Sequence, residues 1–290
     1  MNFTMYAKWS TELKKRGIVT MADEAVRMGF SSVEFFESVG KDWEETVPSL
    51  EAAREYRRVL TERGLSVACY SIAVGLYDPA SPDGIDRESE KKLMQYVERA
   101  VLLGCPYLHH TITLGIKGTP IPYGKMLSTV LPAVVRVAKY AAALGITCIY
   151  EDQGSYFNGV DGFGAFYRAV KAKEPSVGIC GDIGNTLFVD EDPVEFYRAF
   201  APEFKHVHIK DYVKCAPDDT GAADTRDGVW IKECVIGEGI IDTVTCLQIL
   251  KEAGYVGAIA LENNHESDFE AGVKTAMTLV NQHLNSKETL

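Results

Sequence analysis

One pattern recurs along this chain and limits what it can fold into: an amphipathic stretch stops at a glycine and passes at once into a short apolar run. It occurs at Met28-Gly29-Phe30, Arg63-Gly64-Leu65, Leu103-Gly104-Cys105, Leu144-Gly145-Ile146 and Ala253-Gly254-Tyr255. Glycine can take the left-handed conformation that ends a helix without a Cβ clash, and the apolar residue after it packs back on the helix. The repeating unit is therefore helix, stop, strand.

Strand candidates lie near residues 3–9, 31–37, 65–75, 106–114, 147–152, 177–183, 206–211 and 258–263. Helix candidates lie near 20–28, 49–63, 87–103, 125–144, 161–173, 191–200, 240–253 and 267–284. Thr20 with Asp23, and Ser267 with Glu270, fit capping boxes. Asp192-Pro193 places an N-cap before a proline at the first helical position. Eight strand–helix units in 290 residues predict an α/β fold, a (β/α)8 TIM barrel with residues 1–290 as one domain. A doubly wound open sheet is the alternative. It calls for a glycine-rich phosphate loop after the first strand, and none follows Phe3–Trp9. The starts of the last two strands are 52 residues apart, which leaves a long loop at about 212–239. Connections of that length commonly carry function.

Composition narrows the partners. The chain has 30 Lys+Arg against 41 Asp+Glu, a formal charge of −11. That excess opposes nonspecific nucleic-acid binding, which needs a cationic surface, so no nucleic-acid partner is expected. The seven cysteines form no CxxC pair and read as free thiols in a reducing compartment. No signal-peptide core opens the sequence and no uninterrupted 18-residue apolar run occurs. The expectation is a cytoplasmic protein without a membrane partner.

Barrel enzymes place their chemistry at the C-terminal ends of the strands. Glu151, Asp182, His208 and Glu262 fall at or near the ends of the fifth to eighth strand candidates. Because side chains alternate along a strand, one residue near each end can face the axis. Three carboxylates converging there would repel one another unless a cation holds them. Three oxygen donors, one nitrogen and no thiolate suit one divalent ion, Mn²⁺ above all, with Mg²⁺, Co²⁺ or Zn²⁺ as alternatives. The competing reading is of separate solvated acids and a hydrogen-bonded histidine.

These segments resemble the sugar phosphate isomerase/epimerase family of xylose isomerase-like barrels, which includes tagatose/psicose 3-epimerases, hydroxypyruvate isomerases and inosose dehydratases. The resemblance rests on Tyr150-Glu151, Gly181-Asp182-Ile183-Gly184-Asn185, His206-Val207-His208-Ile209-Lys210-Asp211, Gly237-Glu238-Gly239 and Leu261-Glu262. It implies that Glu151, Asp182, His208 and Glu262 bind the metal, often manganese, and that Glu151 and Glu262 exchange protons with substrate. It also implies a small sugar or sugar phosphate as substrate, and a dimer or tetramer. Two positions depart from the epimerase pattern. Asn185 stands where some members carry a histidine, and Lys214 stands where tagatose epimerases carry a substrate-binding arginine. Arg226, in the long loop, is a candidate to replace that arginine. Lys214, Arg226 and Lys232 could bind a substrate phosphate, although no glycine-rich phosphate nest is visible.

The expected chemistry is deprotonation next to a carbonyl through a metal-stabilised enediolate, with the two glutamates as acid and base. Inversion, isomerisation and loss of a neighbouring hydroxyl all use the same residues, so a dehydratase of an inosose-like keto-sugar is the alternative. Two remoter readings are a sugar-binding barrel without catalysis and an abasic-site endonuclease. Against the nuclease stand the charge, Asn185, and Asp227-Gly228-Val229 where those enzymes carry an Asp-x-His pair.

Other residues are expected around the site. Asn185, Lys210, Arg226, His110 and Glu37 are assigned to substrate. His109 and His110 must face opposite sides of a regular strand, as must Glu34 and Glu37. For Lys210 a plain ion pair is the alternative, and for Glu37 a solvated edge acid. Tyr6 and Trp9 are candidates for the apolar wall of a sugar pocket, Asp211 for orienting the loop, and His265 for supporting Glu262.

Overall fold

In the computed structural model, which describes residues 1–40, 43–114, 121–154, 156–262 and 269–284, all five glycine stops are left-handed, with φ from 71° to 86°. They end α2 (Ile18–Arg27), α3 (Leu50–Glu62), α4 (Arg87–Leu103), α5 (Tyr123–Ala143) and α8 (Thr243–Glu252). The chain then enters β2 (Ser32–Ser38), β3 (Ser66–Ala73), β4 (Tyr107–His110), β5 (Thr147–Tyr150) and β11 (Ala258–Leu261) respectively. With β1 (Asn2–Met5), β6 (Gly178–Asp182) and β7 (Phe204–Ile209), these strands close an eight-stranded parallel barrel in the order β1-β2-β3-β4-β5-β6-β7-β11. The helices α6 (Gly159–Lys171), α7 (Pro193–Phe200) and α9 (Phe269–Leu284) complete the outer layer. The predicted (β/α)8 barrel is the observed fold.

Three expectations need correction. The first strand ends at Met5, and Ala7–Arg16 form a helix, α1, that alternation in Phe3–Trp9 had masked. Trp9 lies on that helix, fully buried and edge-on to Phe35 at 5.5 Å, so it is core. Thr20 caps nothing, because α2 begins two residues earlier, after Gly17. The long connection is folded, not a loop: β8 (Asp211–Lys214), β9 (Ala223–Asp224) and β10 (Trp230–Cys234) make an antiparallel sheet. Asp211 ties its two ends together. Its carboxylate accepts from the backbone N–H of Tyr212, Gly237, Gly239 and Ile241 at 2.9–3.2 Å. Ser267 and His265 lie outside the described residues.

Other local signals hold. Asp192 caps α7 by accepting from Val194 N at 2.9 Å, with Pro193 next. The seven cysteines are free thiols. By length and composition α5 could cross a membrane. Instead its Val130, Val134, Val137 and Ala141 are buried, and it packs on α4, α6 and β5.

Strand alternation sorts the side chains into two layers. Val33, Phe35, Leu108, Tyr150 and Val207 face the helices in the main apolar core. Inside the barrel the N-terminal end is neutral and polar, with Thr4 and Ser32 hydrogen-bonded at 2.6 Å. Above it sits a small apolar layer of Cys69, Ile149 and Cys180. Glu34 and His206 lie level with that layer, in register with Cys69 and Cys180, and the other charged side chains lie toward the C-terminal ends of the strands.

Candidate metal centre

Glu151, Asp182, His208 and Glu262 converge at the C-terminal mouth. One donor atom from each lies within 4.8 Å of the others. Glu151 and Asp182 follow or end β5 and β6, His208 sits within β7, and Glu262 follows β11. The first three are 5% exposed or less, and the Glu262 side chain is 21% exposed. His208 Nδ1 is 2.9 Å from Glu151 Oε1 and 3.4 Å from Glu262 Oε2.

The second His208 nitrogen is held from behind by Glu34. Glu34 Oε1 and Oε2 are 3.1 and 3.2 Å from His208 Nε2, and Oε2 is 2.7 Å from His206 Nε2. Ser71 Oγ donates to Glu34 at 2.5 Å and also meets His109 Nδ1 at 3.0 Å. With Nε2 engaged by Glu34, Nδ1 is the His208 nitrogen turned to the carboxylates. Tyr6 stacks on the His208 ring at 4.8 Å. Orientation of a ligating imidazole by a carboxylate on its other nitrogen is a general feature of metal sites.

The donor set fits a cation. Asp182 Oδ1 accepts from Gly184 N and Asn185 N, both at 2.7 Å, which fixes the carboxylate. Asp182 Oδ2 and Glu151 Oε1 are fully buried and make no well-directed hydrogen bond. Buried oxygens with free lone pairs facing one point are costly unless a positive charge sits there. Lys210 supplies one such charge, its Nζ 3.0 Å from Asp182 Oδ2 and 3.3 Å from Glu262 Oε2.

The electrostatics follow from this packing. Burial pushes Asp182 up to about 7, even with Lys210 beside it. Burial works the same way on Glu262, but Lys210 and His208 outweigh it and hold that carboxyl at about 2. Burial would depress His208, yet Cys180, Glu34 and Glu151 around it raise it well above the usual histidine value. Glu151 is lowered because His109 and His208 overcome its burial. Asp152, next in sequence to Glu151, is raised well above the carboxylate range by burial and by Asp182 and Glu151.

The predicted substrate residues divide. Lys210 is in the cluster. Asn185 comes three residues after Asp182, at the start of a 3-10 turn, buried, with its Nδ2 unpaired. His110 turns the other way, packing edge-on to Tyr150 at 5.2 Å with its Nδ1 on the Thr111 carbonyl. His109 is the inward histidine, its Nε2 3.8 Å from Glu151 Oε2. Glu37 is fully buried and occupied with structure. It accepts from Trp43 Nε1, Thr46 N, Val47 N and Tyr70 OH at 2.8–3.0 Å. Arg226 meets the Val189 carbonyl at 3.4 Å, Lys232 pairs with Asp219, and Lys214 is exposed on β8.

Glu34, His206 and Ser71 were not assigned from the sequence. The signal for Glu34 was available: Val33 and Phe35 are the apolar, helix-facing residues of β2, so Glu34 between them must face the axis. A cleft of about 670 Å³ opens beside Glu262, lined by Tyr6, Ala7, Phe36, Trp43 and Lys14 among others. Its size suits a small molecule.

Comparisons with known proteins agree with the fold. The family model described as "Xylose isomerase-like TIM barrel" matches residues 22–283. Two inosose dehydratases from strains of Lacticaseibacillus casei are 25% identical over 134 residues, 44% of this chain and 43% of each relative. The matched part thus spans less than half the length of those relatives. The crystal structure of the IOLI protein with a binding zinc atom superposes with a TM-score of 0.74 at 15% identity, covering 100% of both chains. D-psicose 3-epimerase from Clostridium cellulolyticum H10, solved with D-tagatose, gives 0.73 at 15% identity, covering 98% of this chain and 99% of that one.

Proposed function

Because the chain belongs to the xylose isomerase-like TIM barrel family, we propose that it is a divalent-metal-dependent isomerase or epimerase of a small sugar, ketose or sugar phosphate. The observation that carries this reading is the convergence of Glu151, Asp182, His208 and Glu262 on one point, with buried carboxylate oxygens lacking directed partners. These four residues would hold the ion. Three oxygens and one imidazole favour Mn²⁺, with Mg²⁺, Co²⁺ and Zn²⁺ as the other fits. The IOLI protein, similar in fold, is solved with a binding zinc atom, which supports a metal-binding reading.

A bound divalent ion supplies Lewis acidity to a carbonyl oxygen and the hydroxyl next to it. The protein's own residues do the proton work. Glu151 and Glu262 both reach the point where the ligands converge, so either is placed to accept a carbon-bound proton. Return of a proton by the other glutamate to the opposite face inverts the centre. Return to the neighbouring carbon, with the hydroxyl proton passing to the former carbonyl oxygen, isomerises the substrate. Asn185 Nδ2, His109 Nε2 and Lys210 are the donors assigned to substrate hydroxyls.

Dehydration of an inosose-like keto-sugar is the second reading, favoured by the name that both curated relatives carry. It uses the same base, and the abstracted proton passes to the neighbouring hydroxyl, which leaves as water in place of reprotonation at carbon. The test is a screen of ketoses, ketose phosphates and inososes in D₂O with Mn²⁺, read by proton NMR. Deuterium at a carbon next to the carbonyl supports proton transfer, and loss of water identifies the dehydratase. A folded, Mn²⁺-loaded protein that exchanges no proton on any of these compounds would overturn both readings.

A further inference from the structure

Lys210 does more than sit near the ligand set: its ammonium grips the same oxygens that a metal would need. Asp182 has only one oxygen to offer, since Oδ1 is committed to two backbone N–H groups at 2.7 Å. The remaining Oδ2 is the atom 3.0 Å from Lys210 Nζ. On Glu262, Oε2 is the oxygen nearest His208 Nδ1, at 3.4 Å, and the same Oε2 is 3.3 Å from Lys210 Nζ. The lysine side chain is 7% exposed, so salt and water screen these contacts poorly. Two cations cannot both rest against this one pair of oxygens without strong mutual repulsion.

The fold makes room for the lysine in this position. His206, His208 and Lys210 share the inward face of β7 and its extension, which aims the lysine stem at the cluster. The stem passes over Gly184, where an added Cβ would come within 3.1 Å of Lys210 Cγ and 3.3 Å of its Cε. It would also come within 2.8 Å of a Tyr212 ring carbon. A side chain at 184 would close the path.

Resting on the metal-centre reading above, we propose that Lys210 is a built-in counter-cation of the ligand set, which a divalent ion must displace from Asp182 and Glu262 in order to bind. The lysine then sets the metal affinity of the site. It holds the carboxylates in place before loading and makes the bound ion easier to lose. Removing its charge should free both oxygens for metal while leaving the four ligands untouched.

The test is direct Mn²⁺ binding, followed by loss of the free-ion electron paramagnetic resonance signal and by calorimetry, on the full chain. Lys210→Met is expected to bind Mn²⁺ at least tenfold more tightly than the wild type. Lys210→Arg, which keeps the charge, is expected not to tighten binding. Without metal, Lys210→Met should melt below the wild type and gain more from added Mn²⁺. If it cannot be recovered folded, Lys210→Gln carries the same expectation. Equal or weaker Mn²⁺ binding by either folded, uncharged variant overturns the competition while leaving the metal centre standing. Absence of Mn²⁺ binding by wild type and variants alike overturns the metal centre and this inference together.

Discussion

Strands β5, β6, β7 and β11 carry Glu151, Asp182, His208 and Glu262, whereas β1 to β4 lead to Tyr6, Glu34, Ser71 and His109. The second half of the barrel presents oxygens and a nitrogen to one point. The first half holds them in place: Glu34 grips His206 and His208, Ser71 braces Glu34, and Tyr6 stacks on the His208 ring. Both halves bury charge, but on different terms. In the supporting half every Glu34 oxygen is matched to a donor, as buried polar groups require. In the ligand half Glu151 Oε1 and Asp182 Oδ2 lack well-directed hydrogen bonds. Carboxylates held by ion pairs without directed hydrogen bonds mark the proposed ligand half, and fully hydrogen-bonded ones the half that supports it.

That division can be broken most forcefully at the proposed acid–base pair. Glu151→Gln and Glu262→Gln should each lower turnover by about 10²–10⁴-fold, the usual contribution of a positioned acid or base. Circular dichroism should show both folded. A Glu262→Gln protein that binds Mn²⁺ yet exchanges substrate protons at the wild-type rate would remove Glu262 from the mechanism.

The supporting half predicts a different signature. Glu34→Gln keeps the size of the side chain but cannot accept from two imidazoles while donating to neither. Mn²⁺ affinity should fall by about 10–100-fold, the range typical of lost second-layer partners. Breaking a buried charge cluster should also cost about 3–5 kcal/mol of stability, read by urea denaturation. Unchanged affinity with the same instability would make Glu34 purely structural.

The two halves also differ in how far the sequence reveals them. Glycine stops, the Asp192-Pro193 cap and the eight units were readable because each depends on a few neighbouring residues. The ligand half was readable for a related reason: acids at strand ends stand out against apolar runs. The supporting half hides inside strands, where only alternation tells. In Tyr107-Leu108-His109-His110 the buried, apolar Leu108 fixes His109 as the inward residue, yet the pair reads as interchangeable if position near the strand end is weighed first. Glu37 drew the substrate role from Glu34 by the same bias. The α1 helix and the sheet within 211–234 were missed because neither belongs to the repeat. Tyr6–Trp9 continues the alternation of β1 for a few residues, and β8 to β10 pair with each other, not with the barrel.

Glu37 sharpens the contrast at smaller magnitude. Its four donors come from Tyr70 and from the segment Trp43–Val47, so Glu37→Gln should loosen that segment and lower stability by about 1–3 kcal/mol. Mn²⁺ affinity should stay within error of the wild type. A variant with unchanged stability and a raised KM would return Glu37 to the substrate.

The smallest expected effect lies outside the barrel, where charge is matched but solvent is close. Glu90 on α4 accepts from Arg136 on α5 through Nε at 2.5 Å and Nη2 at 2.9 Å, and from Arg87 at 2.8 Å. Burial would raise its carboxyl, but Arg136 and Arg87 outweigh that and hold it below the ordinary value. Both arginines are more than one-third exposed, so screening limits the gain to about 1 kcal/mol. A depressed folded pKa contributes stability above the unfolded value, near 4.3 for glutamate. That contribution is lost as pH falls through the folded value. Glu90→Gln should therefore be less stable than the wild type by about 1 kcal/mol at pH 7, and the gap should close as the pH is lowered below about 4. Urea melts at pH 7, 5 and 3 measure it. A gap that persists at pH 3 would mean that Glu90 acts by shape and not by charge, which would place it with the neutral packing of the helix layer.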